Sequence, residues 1–122
     1  MAKTILVVED ETHLARLMQV NLEAQGYSVV TALDGKQALL TLDTVQPDLI
    51  VLDVMMPVHD GLKVLRALKE EPTTSAIPVV LLTARAAPAE IEEGWQAGAD
   101  YYLTKPFHMD KLLDFIEELS AA

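Results

Sequence analysis

The sequence predicts an α/β fold, a single domain over residues 1–122 in which five βα units build a doubly wound parallel sheet. Three observations carry that expectation. Short runs such as Ile5-Leu6-Val7-Val8 and Leu49-Ile50-Val51-Leu52 are apolar without alternation, the mark of strands covered on both faces. The segments between such runs carry apolar residues at helical spacing. The links are short, and no repeat, linker or low-complexity stretch interrupts the pattern. A chain of 122 residues is long enough for one core and short for two.

Taken in order, Thr4-Ile5-Leu6-Val7-Val8 is the first strand, ended by Glu9-Asp10-Glu11. A helix follows, with Leu14, Leu17, Met18 and Leu22 at helical spacing, Thr12 as the expected N-cap and Gly26 as the stop. Tyr27-Ser28-Val29-Val30-Thr31 is a second, shorter strand. Asp34 is placed to cap a helix carrying Ala38, Leu39, Leu42 and Val45, closed by Pro47. The third strand runs through Leu49-Ile50-Val51-Leu52 and stops at Asp53. Buried charge is costly, so Asp53 is expected where that strand emerges from the sheet. A loop, Pro57-Val58-His59-Asp60-Gly61, leads into a helix with Leu62, Leu65 and Leu68 on one face, running to Glu71 before Pro72. Ile77-Pro78-Val79-Val80-Leu81-Leu82-Thr83 is the fourth strand, its proline tolerated at the start. Pro88 suits the first turn of a fourth helix through Ile91 and Trp95, stopped by Gly98. That helix has the weakest apolar face and contains Gly94, so it is expected to be the most mobile. Asp100-Tyr101-Tyr102-Leu103 is the fifth strand, Thr104-Lys105-Pro106 a turn, and the last helix carries Leu112, Leu113, Ile116 and Leu119.

Composition narrows the function classes. Nineteen acids against nine bases give a net charge of −10, which repels phosphate backbones and argues against direct nucleic-acid binding. With no cysteine, disulfides, thiolate nucleophiles and thiolate metal sites are excluded. No apolar run reaches the roughly 18 residues of a transmembrane helix. The start, Met1-Ala2-Lys3-Thr4, has no signal-peptide pattern, so a cytoplasmic location without membrane insertion is expected.

In parallel α/β sheets ligands bind outside the carboxyl ends of the strands, and that rule sorts the polar residues. Glu9 and Asp10 end the first strand, Asp53 the third and Thr83 the fourth, while Lys105 lies just past the fifth. Each has a plainer reading alone: a solvated helix start, a loop cap, a β-former, a surface lysine. Their shared edge is what the plainer readings leave unexplained. Three converging carboxylates would leave one protonated unless a cation intervened. All-oxygen ligands with no His or Cys among them point to Mg²⁺, which binds through a few carboxylates together with phosphate. Lys105 adds a compact positive charge and Thr83 a hydroxyl. The set describes a phosphoryl-transfer site whose available nucleophile is a carboxylate, giving an aspartyl phosphate.

These residues match a known pattern. Ile5-Leu6-Val7-Val8-Glu9-Asp10-Glu11 is followed by Pro47-Asp48-Leu49-Ile50-Val51-Leu52-Asp53, with Met56-Pro57 and Asp60-Gly61. Leu82-Thr83-Ala84 and Gly98-Ala99-Asp100-Tyr101-Tyr102-Leu103-Thr104-Lys105-Pro106-Phe107 complete it. Over essentially its whole length the chain resembles the receiver domain of bacterial two-component response regulators, including the stand-alone chemotaxis members. The resemblance implies a flavodoxin-like strand order, 2-1-3-4-5. It implies that Asp53 takes a phosphoryl group from a sensor histidine kinase or phosphotransfer protein. It implies that Glu9, Asp10, Asp53 and the Met55 backbone carbonyl hold Mg²⁺, and that Thr83 and Lys105 contact the phosphoryl oxygens. Thr83 and Tyr102 would then switch the face of the fourth helix, fifth strand and last helix for an output partner or output domain. Lys105-Pro106 resembles the family's cis peptide.

Without the resemblance, Tyr102 reads as core, as do Trp95 and the methionines, and His59 as a surface histidine. The sequence also departs from the family's winged-helix transcription branch. Tyr101 stands where that branch has a second aspartate, and the last helix is acidic at Asp114, Glu117 and Glu118 where the branch is basic. Met55 and Arg85 occupy positions that tune phosphate lifetime in the family.

Two other functions compete with that of a phospho-acceptor switch that self-phosphorylates and slowly dephosphorylates without enzymatic turnover. A Mg²⁺-dependent phosphatase working through an aspartyl phosphate would want an acid two positions after the nucleophile, where this chain has Met55. A flavodoxin-like cofactor module would want a phosphate loop after the first strand, where Glu9-Asp10-Glu11 would repel phosphate.

Overall fold

The structure is a computed structural model, and it describes residues 3–53, 61–83, 95–105 and 107–120. The strands are β1 (Thr4–Val8), β2 (Ser28–Ala32), β3 (Leu49–Asp53), β4 (Val79–Thr83) and β5 (Tyr101–Thr104). All pair in parallel in the order β2-β1-β3-β4-β5, the order that the resemblance implied. Helices α1 (Thr12–Ala24), α2 (Gly35–Thr41) and α3 (Gly61–Glu70) follow the first three strands, and a last helix spans Met109–Ser120. The expected fourth helix lies outside the described residues except for its final turn at Trp95 and Gln96.

Successive strand residues point to opposite sheet faces, and this divides the core in two. Leu6, Val8, Ile50, Leu52, Val79 and Leu81 meet Ala38 of α2 and Val64, Leu65 and Leu68 of α3. On the opposite face Ile5, Val7, Leu49, Val51, Val80 and Leu82 meet Met18 and Leu22 of α1 and Leu112 and Ile116 of the last helix. Both faces of β1, β3 and β4 are therefore dry, which is why their sequences do not alternate. Each fully buried Leu or Ile there contributes about 2 kcal/mol of transfer free energy.

Several boundaries depart from the sequence reading. Thr12 is not the N-cap of α1; it is the first helical residue, and Glu11 caps with extended backbone and no side-chain bond. Leu17 is 53% exposed and off the core face, because Ala15, Met18 and Leu22 already fill the contact with the sheet. Gly26 does end α1 as expected, at φ +95° in the left-handed region that suits glycine. Asp34 does cap α2, accepting from the Gln37 N–H at 2.8 Å, but α2 stops at Thr41. Val45 falls in the turns beyond, where its N–H bonds the Thr41 carbonyl at 2.9 Å. Tyr27, Ile77, Pro78 and Asp100 lie just before their strands, not in them. Asp100 instead accepts from the Val79 N–H through its side chain at 2.8 Å, holding the start of β4.

Candidate functional site

Register places the site. Val8 pairs with Leu52, so the next residues along, Glu9 and Asp53, stand side by side at the carboxyl edge. Asp53 pairs with Leu82, which sets Thr83 one step beyond it, and Thr83 pairs with Thr104, which sets Lys105 beyond that. Glu9 is pinned by its own N–H to the Ala32 carbonyl at 3.0 Å, and Lys105 by its N–H to the Thr83 carbonyl at 2.6 Å.

Strand parity then splits the group. Glu9, Asp53 and Lys105 share the alternation of the residues facing α1 and the last helix, whereas Thr83 and Tyr102 share that of the α2–α3 face. The side chains on the first face meet. The Lys105 ammonium donates to Glu9 Oε1 at 2.8 Å and to Asp53 Oδ2 at 3.2 Å. Carboxylate oxygens of Glu9, Asp10 and Asp53 lie within 4.8 Å of one another.

The sequence reading put Asp53 where its strand emerges, with the cost of burial in mind, yet Asp53 is only 1% exposed. Glu9 and Thr83 are fully buried, and Asp10 is the exposed member. Two acids are held in the interior because a lysine ammonium sits between them. The compensation is incomplete. Burial, with a hydrogen bond to Asp53 in support, pushes the Glu9 carboxyl up to about 8 against the opposing pull of Lys105. For Lys105, burial pulls the other way, but the Glu9 bond and the two carboxylates outweigh it, and its ammonium form is favoured.

The donor set fits Mg²⁺. Three carboxylates converge, and Glu9 Oε2 is buried with no hydrogen-bond partner among the described residues. A hard cation would supply that partner and offset the burial that raises the Glu9 carboxyl. Met55, Arg85, His59 and the Lys105-Pro106 peptide lie outside the described residues.

Tyr102 is half-buried against the α2–α3 core face, its ring 6.5 Å from that of Trp95 and tilted by 41°. Beside the site, Glu11, His13, Leu14, Leu17, Phe107 and Met109 form a groove that reaches Lys105. Sequence reasoning gave Leu14 and Leu17 only as apolar residues at helical spacing and did not single out this groove; the signal was an apolar stripe on α1 wider than one face needs.

Comparison with known proteins agrees with this geometry. The family model described as "Response regulator receiver domain" matches residues 5–117. The alkaline phosphatase synthesis transcriptional regulatory protein PhoP of Bacillus subtilis is 47% identical over 107 residues, covering 88% of this chain and 44% of that protein. The chain spans about half the length of the curated relatives it matches, 44%, 50% and 48% for three of them. Among solved structures, the receiver domain of a signal transduction histidine kinase from Syntrophus aciditrophicus superposes with a TM-score of 0.92 at 36% identity, covering 98% of this chain and 91% of that one. The receiver domain of the sensor histidine kinase PA1611 from Pseudomonas aeruginosa, solved with a magnesium ion in its active site cleft, gives 0.90 at 30% identity over all of both chains.

Proposed function

The chain belongs to the response regulator receiver domain family, and on that premise we propose that Asp53 is its phospho-acceptor and that residues 1–122 act together as one phosphorylation-dependent signalling switch. The observation that carries this reading is the Lys105 ammonium bridging buried Glu9 and Asp53 at the carboxyl edge of the sheet. A lysine so placed orients Asp53 and is positioned to meet an incoming phosphoryl oxygen.

In the reaction an Asp53 carboxylate oxygen attacks phosphorus, the bond from phosphorus to the donor nitrogen of a phosphohistidine breaks, and that electron pair stays with the imidazole. Glu9, Asp10 and Asp53 would hold Mg²⁺, with the Met55 carbonyl that the family resemblance adds. When bound, the ion neutralises charge on the phosphoryl oxygens. Lys105 pairs with one phosphoryl oxygen and the Thr83 hydroxyl donates to another. Thr83 and Tyr102 share the opposite sheet face, so movement of Thr83 towards the phosphate would be felt by Tyr102 and, through their ring contact, by Trp95.

The activity is stoichiometric: self-phosphorylation from small phosphodonors and slow autodephosphorylation, without turnover of a substrate. The donor is a sensor histidine kinase or phosphotransfer protein, for which the apolar groove of Leu14, Leu17, Phe107 and Met109 gives a landing surface beside Lys105. The face of the fourth helix, β5 and the last helix then passes the state to an output partner or domain. No helix among the described residues is long and apolar enough to cross a membrane, and the switch is proposed to act in the cytoplasm.

Incubation with Mg²⁺ and acetyl phosphate should give a single phosphate adduct by intact mass, absent without Mg²⁺ and absent in Asp53→Asn. An adduct that persists in Asp53→Asn would overturn the assignment.

A further inference from the structure

We propose that the β5 edge of the sheet, with the last helix beside it, docks a cationic, arginine- or lysine-rich segment of a partner protein. This rests on the functional reading that the same face reports the phosphorylation state, and it specifies the chemistry of what binds there.

Strand β5 is an edge strand, and its consecutive residues Tyr101 and Tyr102 project to opposite faces. Each carries an aromatic partner. Tyr102 lies against Trp95, the only tryptophan of the sequence, which is left 45% exposed. Tyr101 stacks on Phe115 of the last helix with ring centroids 4.2 Å apart and planes within 8°. Neither Tyr101 nor Phe115 is fully buried, so the strand edge is flanked on both sides by accessible ring surface. Aromatic faces of this kind attract guanidinium and ammonium groups.

Charge selects the occupant. Asp110, Asp114, Glu117 and Glu118 are all exposed at helical spacing on the last helix, and Glu118 bonds the Tyr101 hydroxyl. From Arg85 onward the sequence has eight acids and three bases. Of those bases Lys105 is committed to Glu9 and Asp53, and Lys111 is the one cation on the last helix. A second copy is a poor occupant, because a two-fold contact would set this acidic row against itself. Nucleic acid is repelled by the same row. A basic segment satisfies both the rings and the acids.

The test uses dodecapeptides of alternating Arg and Ala, Asp and Ala, or Ser and Ala, added to the protein with saturating Mg²⁺ so that the acids around Asp53 are screened. Trp95 emission is the readout, followed in both the unmodified and the acetyl-phosphate-treated protein. The Arg peptide alone should shift the emission, with an affinity that weakens as salt is raised. Tyr101→Leu and Asp114→Asn should each weaken it about fivefold or more; the second change is on the exposed helix surface and leaves the core intact. Equal response to all three peptides, no response to any, or unchanged affinity in both variants overturns the proposal. So does self-association of the free chain through this face that excludes the Arg peptide. A phosphate adduct on Asp53 without peptide discrimination refutes this inference alone. Peptide discrimination without an adduct refutes the phospho-acceptor reading instead.

Discussion

At the scale of single residues, Glu9 and Asp53 stand at the ends of neighbouring strands and share a sheet face and a lysine, and burial, with the Asp53 bond in support, raises the Glu9 carboxyl. Position at the ends of apolar runs was readable from the sequence, since Glu9 follows Val8 and Asp53 follows Leu52. Depth was not, because it depends on what packs over the strand ends. The consequence for pH has a definite sign. With its carboxyl raised from 4.5 to about 8, Glu9 in the folded, metal-free protein keeps a proton that the unfolded chain has lost. Stability from this group is complete at low pH and is lost as pH rises between those two values, by at most about 1.4 kcal/mol per pH unit. Denaturant unfolding in chelator should show that slope, and Glu9→Gln should flatten it. Mg²⁺ must displace the same proton, so its affinity should rise with pH towards about 8 and then level off. Calorimetry in two buffers of different ionisation enthalpy would read the released proton directly.

Among the elements, a strut that the sequence did not announce ties α3 to β4 and β5. Lys69, near the end of α3, donates to the Ile77 carbonyl at 2.8 Å and the Ser75 carbonyl at 3.3 Å. It also pairs with Asp100 at 3.6 Å. Its stem passes over Gly98, where an added Cβ would come within 2.8 Å of Lys69 Cγ, and Gly98 itself has φ +107°. Lys69→Ala should cost about 1–2 kcal/mol by leaving the Ile77 carbonyl and Asp100 short of a partner. Gly98→Ala should cost about 1–3 kcal/mol from backbone strain and the clash. The double variant should cost less than the sum, because removing the Lys69 stem clears the clash while the strain stays. A denaturant double-mutant cycle measures this, and strict additivity would argue against the contact. Sequence periodicity identified each element but not its exact ends. Thr12 reads as a cap by residue type, whereas the backbone turns at Glu11. Asp34 was readable because its bond to Gln37 is local, three residues away. Lys69 was not, since its partners come from the loop before β4 and from Asp100, just ahead of β5, which only the folded chain brings to it.

For the molecule as a whole, the acidic site is a local cost that a bound cation should repay. Mg²⁺ at a hundredfold excess over its dissociation constant should raise unfolding stability by about 2.7 kcal/mol. Asp53→Asn should reduce that gain, since one of the three carboxylates that would hold the ion is gone. A melting temperature indifferent to Mg²⁺ would refute the metal assignment. The sequence by itself determined the α/β class, the five strands and the set Glu9, Asp10, Asp53, Thr83 and Lys105, because all of these follow from local apolar runs and the residues that end them. The order β2-β1-β3-β4-β5 came through the family resemblance, as local runs say nothing of which strands are neighbours. Only the tertiary structure decided the rest. Parallel register put Glu9 beside Asp53, parity put Lys105 with them and Thr83 with Tyr102, and helix packing buried two of the three acids. Those are properties of pairs distant in the chain, and burial and charge coupling exist only once the pairs have met.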